Sequence, residues 1–375
     1  MTEHGGTLAQ PDGIPYLAGM GWDSILGHER EVEKLRYGCA AGRLAHAYAF
    51  VGTAGIGKYR FARYFAQCLL CERHTDAELQ ACGECPSCQQ VQAHTHPDLL
   101  VVQLPEDKRE LPIRLFIGED ESRGKEGLCY DISRKPMSAR RRVAIIDSAE
   151  TMNEESSNAL LKTLEEPPPN SVMILVASSA DALLSTIRSR CQILVFQPLS
   201  TELVRELMVQ EGLTTNVGEA AQVAPFCDGS LQIARQLLDP QIRALRNELF
   251  NLLAAHPFLS VQTAERMIEC LEPAGAEKRS QREYAGWIVR FCVEFYRRAL
   301  LTVAGAPAHQ VGDVPQVRAF VQRLGIVTYT TIDALTELLE RSLAAEIHLS
   351  ANTGIALCFE TFFDDIGKIL RQPTA

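Results

Sequence analysis

The sequence lacks any apolar run that approaches the roughly 20 residues of a membrane-spanning helix. It also lacks a basic N-terminal region followed by an apolar core, which is the pattern of a secretory signal. We therefore expect a cytoplasmic protein with no membrane partner. An excess of basic residues is missing too, since the formal net charge is -10. This charge argues against general coating of nucleic acid, while it leaves room for a local basic patch.

The chain is too long for one ordinary hydrophobic core. At 375 residues, two or three domains are expected. Apolar residues make up 46% and charged residues 22% of the chain, which is ordinary for a globular protein. The first 19 residues are rich in Gly, Pro and polar residues, and they predict a flexible tail.

A glycine-rich loop lies between a predicted buried strand and a predicted amphipathic helix. Its glycines are Gly52, Gly55 and Gly57, and Lys58 opens the helix. Consecutive backbone N–H groups at a helix N-terminus form an anion socket, and a lysine at this place can reach terminal phosphates. The segment therefore predicts a phosphate-binding loop that could hold ATP or ADP.

Two residues that hydrolysis would need are absent from the predicted nucleotide site. The motif requires Ser or Thr after the lysine to hold Mg²⁺, and this chain has Tyr59. Asp147 ends a second apolar strand, where nucleotide hydrolases place the carboxylate that orients Mg²⁺. The following acid is replaced by Ser148, and Glu150 is a poor substitute because it lies at a different position on the turn. The site is predicted to be degenerate.

Cysteine is abundant, and four of the twelve cysteines lie close together in the sequence: Cys71, Cys82, Cys85 and Cys88. The spacings are ten, two and two intervening residues. Four thiolates can close a tetrahedral zinc site, and the short spacings let backbone N–H groups point at sulfur. Without an export signal, a metal in a reducing compartment is favoured over disulfides.

Other interpretations of these cysteines stay open. An iron–sulfur cluster is one rival, but the ferredoxin pattern wants a further cysteine at the position of Gln92. Thiols without a metal are another. His74, His94 and His96 are available as substitute ligands, although a single histidine near such a site is more often solvated or hydrogen-bonded.

Five short apolar runs alternate with helices in the first half of the chain. The predicted strands are the run before the phosphate loop and residues 98–103, 142–147, 172–177 and 192–196; the predicted helices include 29–41, 153–165 and 181–188. This alternation predicts a parallel sheet covered on both faces. The polar stretch 105–125 has no clear assignment. Beyond Pro198 only helices are predicted, with apolar stripes expected to form core or subunit contacts. These stripes are Ile288, Phe291, Cys292, Phe295 and Ala299, and Leu335, Leu338, Leu339 and Leu343.

The segment from Trp22 to about Leu199 resembles bacterial DNA polymerase III clamp-loader subunits, and most of all their delta-prime branch. The matching pieces are residues 44–48 (LAHAY), the phosphate loop, the four cysteines, residues 96–98 (HPD), Ile146-Asp147, residues 160–167 (LLKTLEEP) and Ser189-Arg190-Cys191. A phosphate loop alone is weak evidence, since many enzymes have one. The cysteine group together with Ser189-Arg190-Cys191 is specific.

The resemblance implies an α/β fold: an AAA+ P-loop module, with a parallel sheet sandwiched by helices, a small helical lid and a C-terminal all-helical collar domain. We expect the nucleotide-binding-type domain over 20–197, with a zinc insertion at 71–88, the lid over 198–242 and the collar over 243–375. The collar would pack into a five-subunit ring.

By the same resemblance, Arg190 would project into the ATP site of a neighbouring subunit as an arginine finger. The sensor motif of the lid would place its arginine at Gln232, and Arg235 lies nearly a turn away. The resemblance therefore implies a stator with little or no ATPase activity of its own, accessory to the DNA polymerase III holoenzyme. Its partners would be gamma/tau and delta, with the sliding clamp and primer-template DNA reached through the assembly.

Two other functions stay open. One is an active gamma/tau-type ATPase in which another group holds Mg²⁺. The other is a DNA-binding or repair adaptor that uses the cysteine group and a basic cluster, although such a charge run is usually a solvated face. The basic cluster comprises Arg134, Lys135, Arg140, Arg141 and Arg142.

Overall fold

A computed structural model describes residues 21–105, 108–271, 278–306, 314–324, 328–350 and 354–371. The predicted tail over 1–19 lies outside the described residues. Contacts divide the chain into two compact units, and the boundary falls between Arg235 and Gln236. The predicted borders of the lid and the collar stay predictions.

The first unit is built on a five-stranded parallel sheet. Its strands are β1 (Ala47–Val51), β2 (Leu99–Val102), β3 (Arg142–Ile146), β4 (Ser171–Ala177) and β5 (Gln192–Val195). Their order across the sheet is β2-β3-β4-β1-β5, and every neighbouring pair is parallel. The predicted parallel sheet is confirmed, and β1 lies between β4 and β5.

Helices connect and follow the strands of this unit. They are α1 (Glu29–Ala40), α2 (Lys58–Leu70), α3 (Pro86–Gln92), α4 (Arg114–Ile117), α5 (Leu128–Ser133), α6 (Glu154–Glu165), α7 (Ser185–Arg188), α8 (Thr201–Gln210), α9 (Val217–Val223) and α10 (Leu231–Leu237). Short 3-10 turns lie at Trp22–Ser24, Asp120–Ser122, Ala149–Thr151 and Ala224–Phe226.

One face of the sheet packs against α4 to α7. Ala49, Ala144 and Leu175 from the central strands share a buried cluster with Leu160 of α6 and Ile187 of α7. Alternate residues of a strand point to opposite faces, so a strand that is covered on both sides is apolar throughout. The residues of β1, β3 and β4 are accordingly buried along their whole length.

The other face of the sheet carries an aromatic cluster. The ring of Phe50 on β1 lies 5.5 Å from that of Phe61 on α2 and 5.3 Å from that of Phe196, centroid to centroid. Trp22 packs on Phe61 at 5.0 Å. Aromatic pairs at these separations add stability beyond their buried area. The cluster fixes the end of β1 against the start of α2, which are the two ends of the phosphate loop.

Residues 98–103 were predicted to form a buried strand, and the predicted burial is wrong. The strand exists as β2, but it lies at the edge of the sheet, and Val101 is 39% exposed. The helix predicted over 181–188 begins only at Ser185. The preceding residues form a turn in which the Ser179 hydroxyl accepts the N–H of Ala182, a local bond that competes with helix formation. In the polar stretch 105–125, the short helix α4 buries Phe116.

The second unit is helical in its described part. Its helices are α11 (Pro240–Ala254), α12 (Ser260–Glu269), α13 (Lys278–Val303), α14 (Pro315–Leu324), α15 (Tyr329–Ser350) and α16 (Ile355–Arg371). The first predicted stripe, Ile288 to Ala299, is buried in α13, and Phe295 packs on Phe250 at 5.1 Å and Phe320 at 5.2 Å. In the second stripe Leu335 and Leu338 are buried, whereas Leu343 is 46% exposed. None of the helices in the described ranges is long and apolar enough to cross a membrane.

Candidate nucleotide loop, metal centre and arginine

The predicted phosphate loop runs from the end of β1 to the start of α2. Its glycines adopt positive φ angles, 75° at Gly55 and 96° at Gly57, which side chains of L-residues rarely tolerate. A methyl carbon at Gly55 would lie 2.3 Å from the hydroxyl oxygen of Ser230 and 2.5 Å from the Cβ of Gln232. Glycine at position 55 is therefore required by close packing as well as by its φ angle.

Lys58 is turned back onto its own loop. Its ammonium donates to the carbonyl oxygens of Gly52 at 2.5 Å and Thr53 at 2.7 Å. The side chain is buried, and burial lowers the pKa of Lys58, although the charges of Glu150 and Asp147 act in the opposite direction. To reach a phosphate, the ammonium would have to give up these carbonyl contacts.

Strand ends bring the predicted acidic residues close to this lysine. Asp147 follows β3, and one of its carboxylate oxygens accepts the N–H of Ser148 at 2.9 Å. Ser148 itself has a left-handed φ of 52°. Glu150 accepts the N–H of Ser178, beyond β4, at 3.2 Å. Within the described residues its second oxygen is buried without a hydrogen bond. Glu150 thus links the ends of β3 and β4. A general base would instead be expected directly after Asp147.

The helical segment after β5 is fastened to the phosphate loop. The N–H of Leu231, at the start of α10, donates to the carbonyl of Gly55 at 2.9 Å. Farther along, Arg60 of α2 pairs with the largely buried carboxylate of Glu211 at 2.5 Å. His28 supports the loop from the other side, because its buried ring contacts the Ile56 carbonyl at 2.7 Å. Sequence reasoning missed His28 and Glu211, since neither stands in a recognisable motif.

The four predicted metal ligands are brought together. The sulfur atoms of Cys71, Cys82, Cys85 and Cys88 lie within 4.8 Å of one another, and Cys82 and Cys88 are 3.9 Å apart. Four zinc–sulfur bonds of about 2.3 Å in a tetrahedron separate the sulfurs by roughly 3.8 Å. In the part of the chain that the structure describes, this potential metal group contains no histidine.

Backbone N–H groups point at these sulfurs, as the spacing predicts. Cys85 donates to the sulfur of Cys82 at 3.3 Å, and Cys88 donates to that of Cys85 at 3.4 Å. Burial raises the pKa of Cys82, but the N–H groups of Glu84 and Cys85 outweigh it and lower that pKa to about 6. This donor set fits a thiolate-ligated metal with no open coordination position.

The histidines considered as substitute ligands have other partners. His74 lies 3.4 Å from the Glu78 carboxylate, and His94 contacts the buried Arg63. His96 contacts the Ser87 hydroxyl at 3.2 Å and accepts the N–H of Asp98 at 3.0 Å. His96 therefore connects α3, which contains Cys88 and is preceded by Cys85, to the start of β2.

Asp98 anchors the loop before β3. Its buried carboxylate accepts backbone N–H groups from Met137 at 2.7 Å, Ser138 at 2.8 Å and Ala139 at 2.9 Å. It also lies 3.4 Å from the guanidinium of Arg142, which is buried as well. Burial raises the pKa of Asp98, but the three N–H groups outweigh it and the net pKa is lowered.

The basic cluster is only partly available to a ligand. Arg142 is buried and donates to the Asp131 carbonyl at 2.7 Å, and Arg141 pairs with Asp76. Arg134, Lys135 and Arg140 are exposed. The cluster thus divides into two structural arginines and three surface cations.

Arg190 lies at the surface just after α7. Its guanidinium donates to the Thr186 carbonyl at 2.8 Å, the Ser189 hydroxyl at 3.2 Å and the Glu165 carboxylate at 2.8 Å. The side chain is 34% exposed. A partly exposed arginine held at a fixed place can meet a group on another molecule. Glu165 belongs to the matching segment 160–167, but sequence reasoning assigned it no role.

A phosphate loop at the carboxyl end of β1, the strand order β2-β3-β4-β1-β5 and the helical segment on the loop place the first unit in the AAA+ class of P-loop proteins. Residues 27–200 match the family described as DNA polymerase III, delta subunit.

Three relatives extend this comparison. The chain is 43% identical to DNA polymerase III subunit delta' of Pseudomonas aeruginosa over 39% of this chain and 42% of the relative. It is 29% identical to subunit delta' of Bacillus subtilis over 54% of this chain and 61% of the relative. It is 31% identical to subunit tau of Escherichia coli over 58% of this chain and 32% of the relative. The matches span less than two thirds of each relative, and they confirm the predicted resemblance to a DNA polymerase III clamp-loader subunit.

Proposed function

We propose that this protein is a delta-prime-like stator of the DNA polymerase III clamp loader. It supplies Arg190 to the ATP site of a neighbouring subunit while a gamma/tau and delta assembly places the sliding clamp on primer-template DNA. Its own nucleotide site contributes little or no hydrolysis. Clamp loading by this assembly takes place in the cytoplasm.

The observation that carries this proposal is the contrast between Arg190 and the chain's own loop. Arg190 is partly exposed and held by three hydrogen bonds. The loop has Tyr59 in place of the magnesium hydroxyl, Ser148 in place of the second acid and Gln232 in place of the sensor arginine. The chain thus has the arginine that would serve a neighbour's ATP site, but it lacks three side chains that its own site would need for hydrolysis. Such a chain is suited to act in trans.

The contacts of Lys58 and α10 support the same division. Binding a phosphate would require Lys58 to leave two loop carbonyls, and α10 is bonded to the backbone of Gly55. Both contacts stabilise the loop without a ligand. ATP or ADP binding to this site is therefore expected to be weak.

Replacing Arg190 with alanine in the reconstituted loader tests the proposal. Turnover at the site that receives Arg190 should fall by about 10³-fold, the lower range for arginine fingers. Arg188→Ala is a matched control, because Arg188 lies on α7 and pairs with the exposed Asp181. Size-exclusion chromatography should show intact assembly for both variants. Unchanged ATP turnover in the assembled Arg190→Ala loader would reject the trans role.

An active gamma/tau-type ATPase is the competing hypothesis. It would show sustained, magnesium-dependent hydrolysis by the purified chain, and that hydrolysis would disappear when Lys58 is replaced. The stator proposal instead requires negligible turnover by the chain alone. A DNA-binding adaptor is less well supported, because Arg141 and Arg142 have structural partners. Steep salt dependence of DNA binding by the isolated chain would favour the adaptor.

We also propose that Cys71, Cys82, Cys85 and Cys88 hold a structural zinc ion. Their separations and their N–H contacts fit tetrahedral thiolate ligation. Bound zinc would join the end of α2 to the start of α3. Metal analysis should find one zinc per chain, whereas iron with visible cluster absorption, or thiols without metal, would contradict the proposal.

A further inference from the structure

Glu165 lies at an unfavourable place for an acidic residue considered on its own. It ends α6, where the helix dipole favours cations, and a second acid, Glu166, follows it. A residue that is locally unfavourable often serves a partner elsewhere in the fold. The partner here is Arg190, whose Nη2 donates to the Glu165 carboxylate at 2.8 Å across 25 residues of sequence.

The other contacts of Arg190 come from α7. Nη1 donates to the Thr186 carbonyl at 2.8 Å and the Ser189 hydroxyl at 3.2 Å. A cation at the end of a helix is favourable, so α7 and Glu165 hold the guanidinium together. Both helices are anchored in one buried cluster, through Leu160 and Leu164 of α6 and Ile187 of α7.

The hydrogen bonds leave part of the guanidinium for another ligand. A guanidinium has five N–H donors in a planar fork. Two contacts involve Nη1 and one involves Nη2. If each takes a separate proton, the hydrogen bonds of the described residues leave Nε–H and one Nη2–H, and guanidinium N–H groups are strong donors to phosphate oxygens.

We infer that Glu165 is a positioning residue for Arg190. It fixes the guanidinium in the orientation that a neighbouring subunit's phosphate meets, which reduces the side-chain entropy lost when the two subunits engage. This inference rests on the proposed function, since it needs Arg190 to act in trans. An arginine side chain has many rotamers to lose on binding, and fixing a reactive group before reaction generally favours the rate.

The test is Glu165→Ala in the reconstituted loader. We expect kcat for ATP to fall on the order of 10-fold with KM little changed, because a misplaced group can lower a rate by up to about 10²-fold. Glu165→Gln keeps an acceptor oxygen, so its kcat should lie between those of wild type and Glu165→Ala. The exposed Glu166→Ala is the matched control and should behave as wild type.

A double mutant separates positioning from a general structural effect. Because Glu165 acts through Arg190, Glu165→Ala should cause no further loss of turnover in the Arg190→Ala background. An additive loss would overturn the inference, as would unchanged or increased turnover in the single Glu165→Ala variant. If Arg190→Ala alone has no effect, the proposed function fails first, so the two failures are distinguishable.

Discussion

The two ends of α2 carry different chemistry. At its N-terminus, Lys58 follows the glycine loop of the predicted nucleotide site and is bonded to the loop's own carbonyls. At its C-terminus, Cys71 joins three other cysteines in a compact group of sulfurs. The first end lacks several of the side chains that the predicted nucleotide site would need for hydrolysis. The second brings all four predicted metal ligands together.

This difference shows which parts of a site the fold itself maintains. The loop backbone is kept in shape by Gly55 packing on Ser230 and by the Leu231 N–H, whether or not a nucleotide binds. The four clustered cysteines would instead gain their stabilising role from the proposed zinc ion. We therefore expect structural stability to depend strongly on the cysteine end and weakly on the charge of Lys58.

The largest effect should follow from losing a metal ligand. Cys88→Ser should reduce bound zinc and lower the free energy of unfolding by about 4 kcal/mol or more, the range for loss of a structural metal. Metal content by mass spectrometry and thermal unfolding measure the two effects. Cys129→Ser is the control, because Cys129 is half-buried and lies outside the cysteine group. Equal metal content in Cys88→Ser and wild type would show that Cys88 is not a metal ligand, and the proposed contrast between the two ends of α2 would fail.

A smaller loss is expected at the connection between the cysteine end and the sheet. Asp98→Asn would leave the buried Arg142 without its carboxylate and should lower the free energy of unfolding by about 3 kcal/mol, measured by urea denaturation. Asp181→Asn, which removes an exposed partner of Arg188, should change it by less than about 0.5 kcal/mol. Equal effects of the two substitutions would contradict an anchoring role for Asp98.

The same carboxylate gives a dependence on pH. Burial opposes the change, but the N–H groups hold the folded pKa of Asp98 below its usual value. Its contribution to stability is therefore fully present above about 3.9, the usual aspartate pKa, and is lost as pH falls through the lower folded value. Asp98→Asn should flatten this acidic part of the stability curve.

The smallest effect is expected at the N-terminus of α2. Lys58→Met keeps the apolar stem and removes the ammonium with its two carbonyl contacts, so the free energy of unfolding should fall by about 1 to 2 kcal/mol. ATP turnover of the assembled loader should stay within about twofold of wild type. Lys34→Met, at an exposed site on α1, is the control. A tenfold loss of turnover in Lys58→Met would show that the loop takes part in hydrolysis.

Local patterns predicted both ends of α2, because each end is encoded by residues close together in sequence. The strand, the glycine loop and Lys58 were recognisable in one run, and so was the group Cys82, Cys85 and Cys88. The exposure of β2 was not predictable in this way, since it depends on which strand takes the edge of the sheet.

Long-range pairings were missed for a related reason. Glu165 and Arg190 stand 25 residues apart, and Gly55 meets Ser230 only after the helices beyond β5 fold onto the loop. No periodicity in the sequence encodes such contacts. An acid at the end of a helix is the one signal that could have drawn attention to Glu165.

The contact between Gly55 and Ser230 bears on how related sequences are interpreted. Retention of glycine at position 55 across a lineage would ordinarily be read as selection for nucleotide binding. Here a larger residue would collide with Ser230 and strain the backbone, so folding requires the glycine whether or not a nucleotide binds. The glycine pattern of a phosphate loop is therefore not, by itself, evidence that a nucleotide binds.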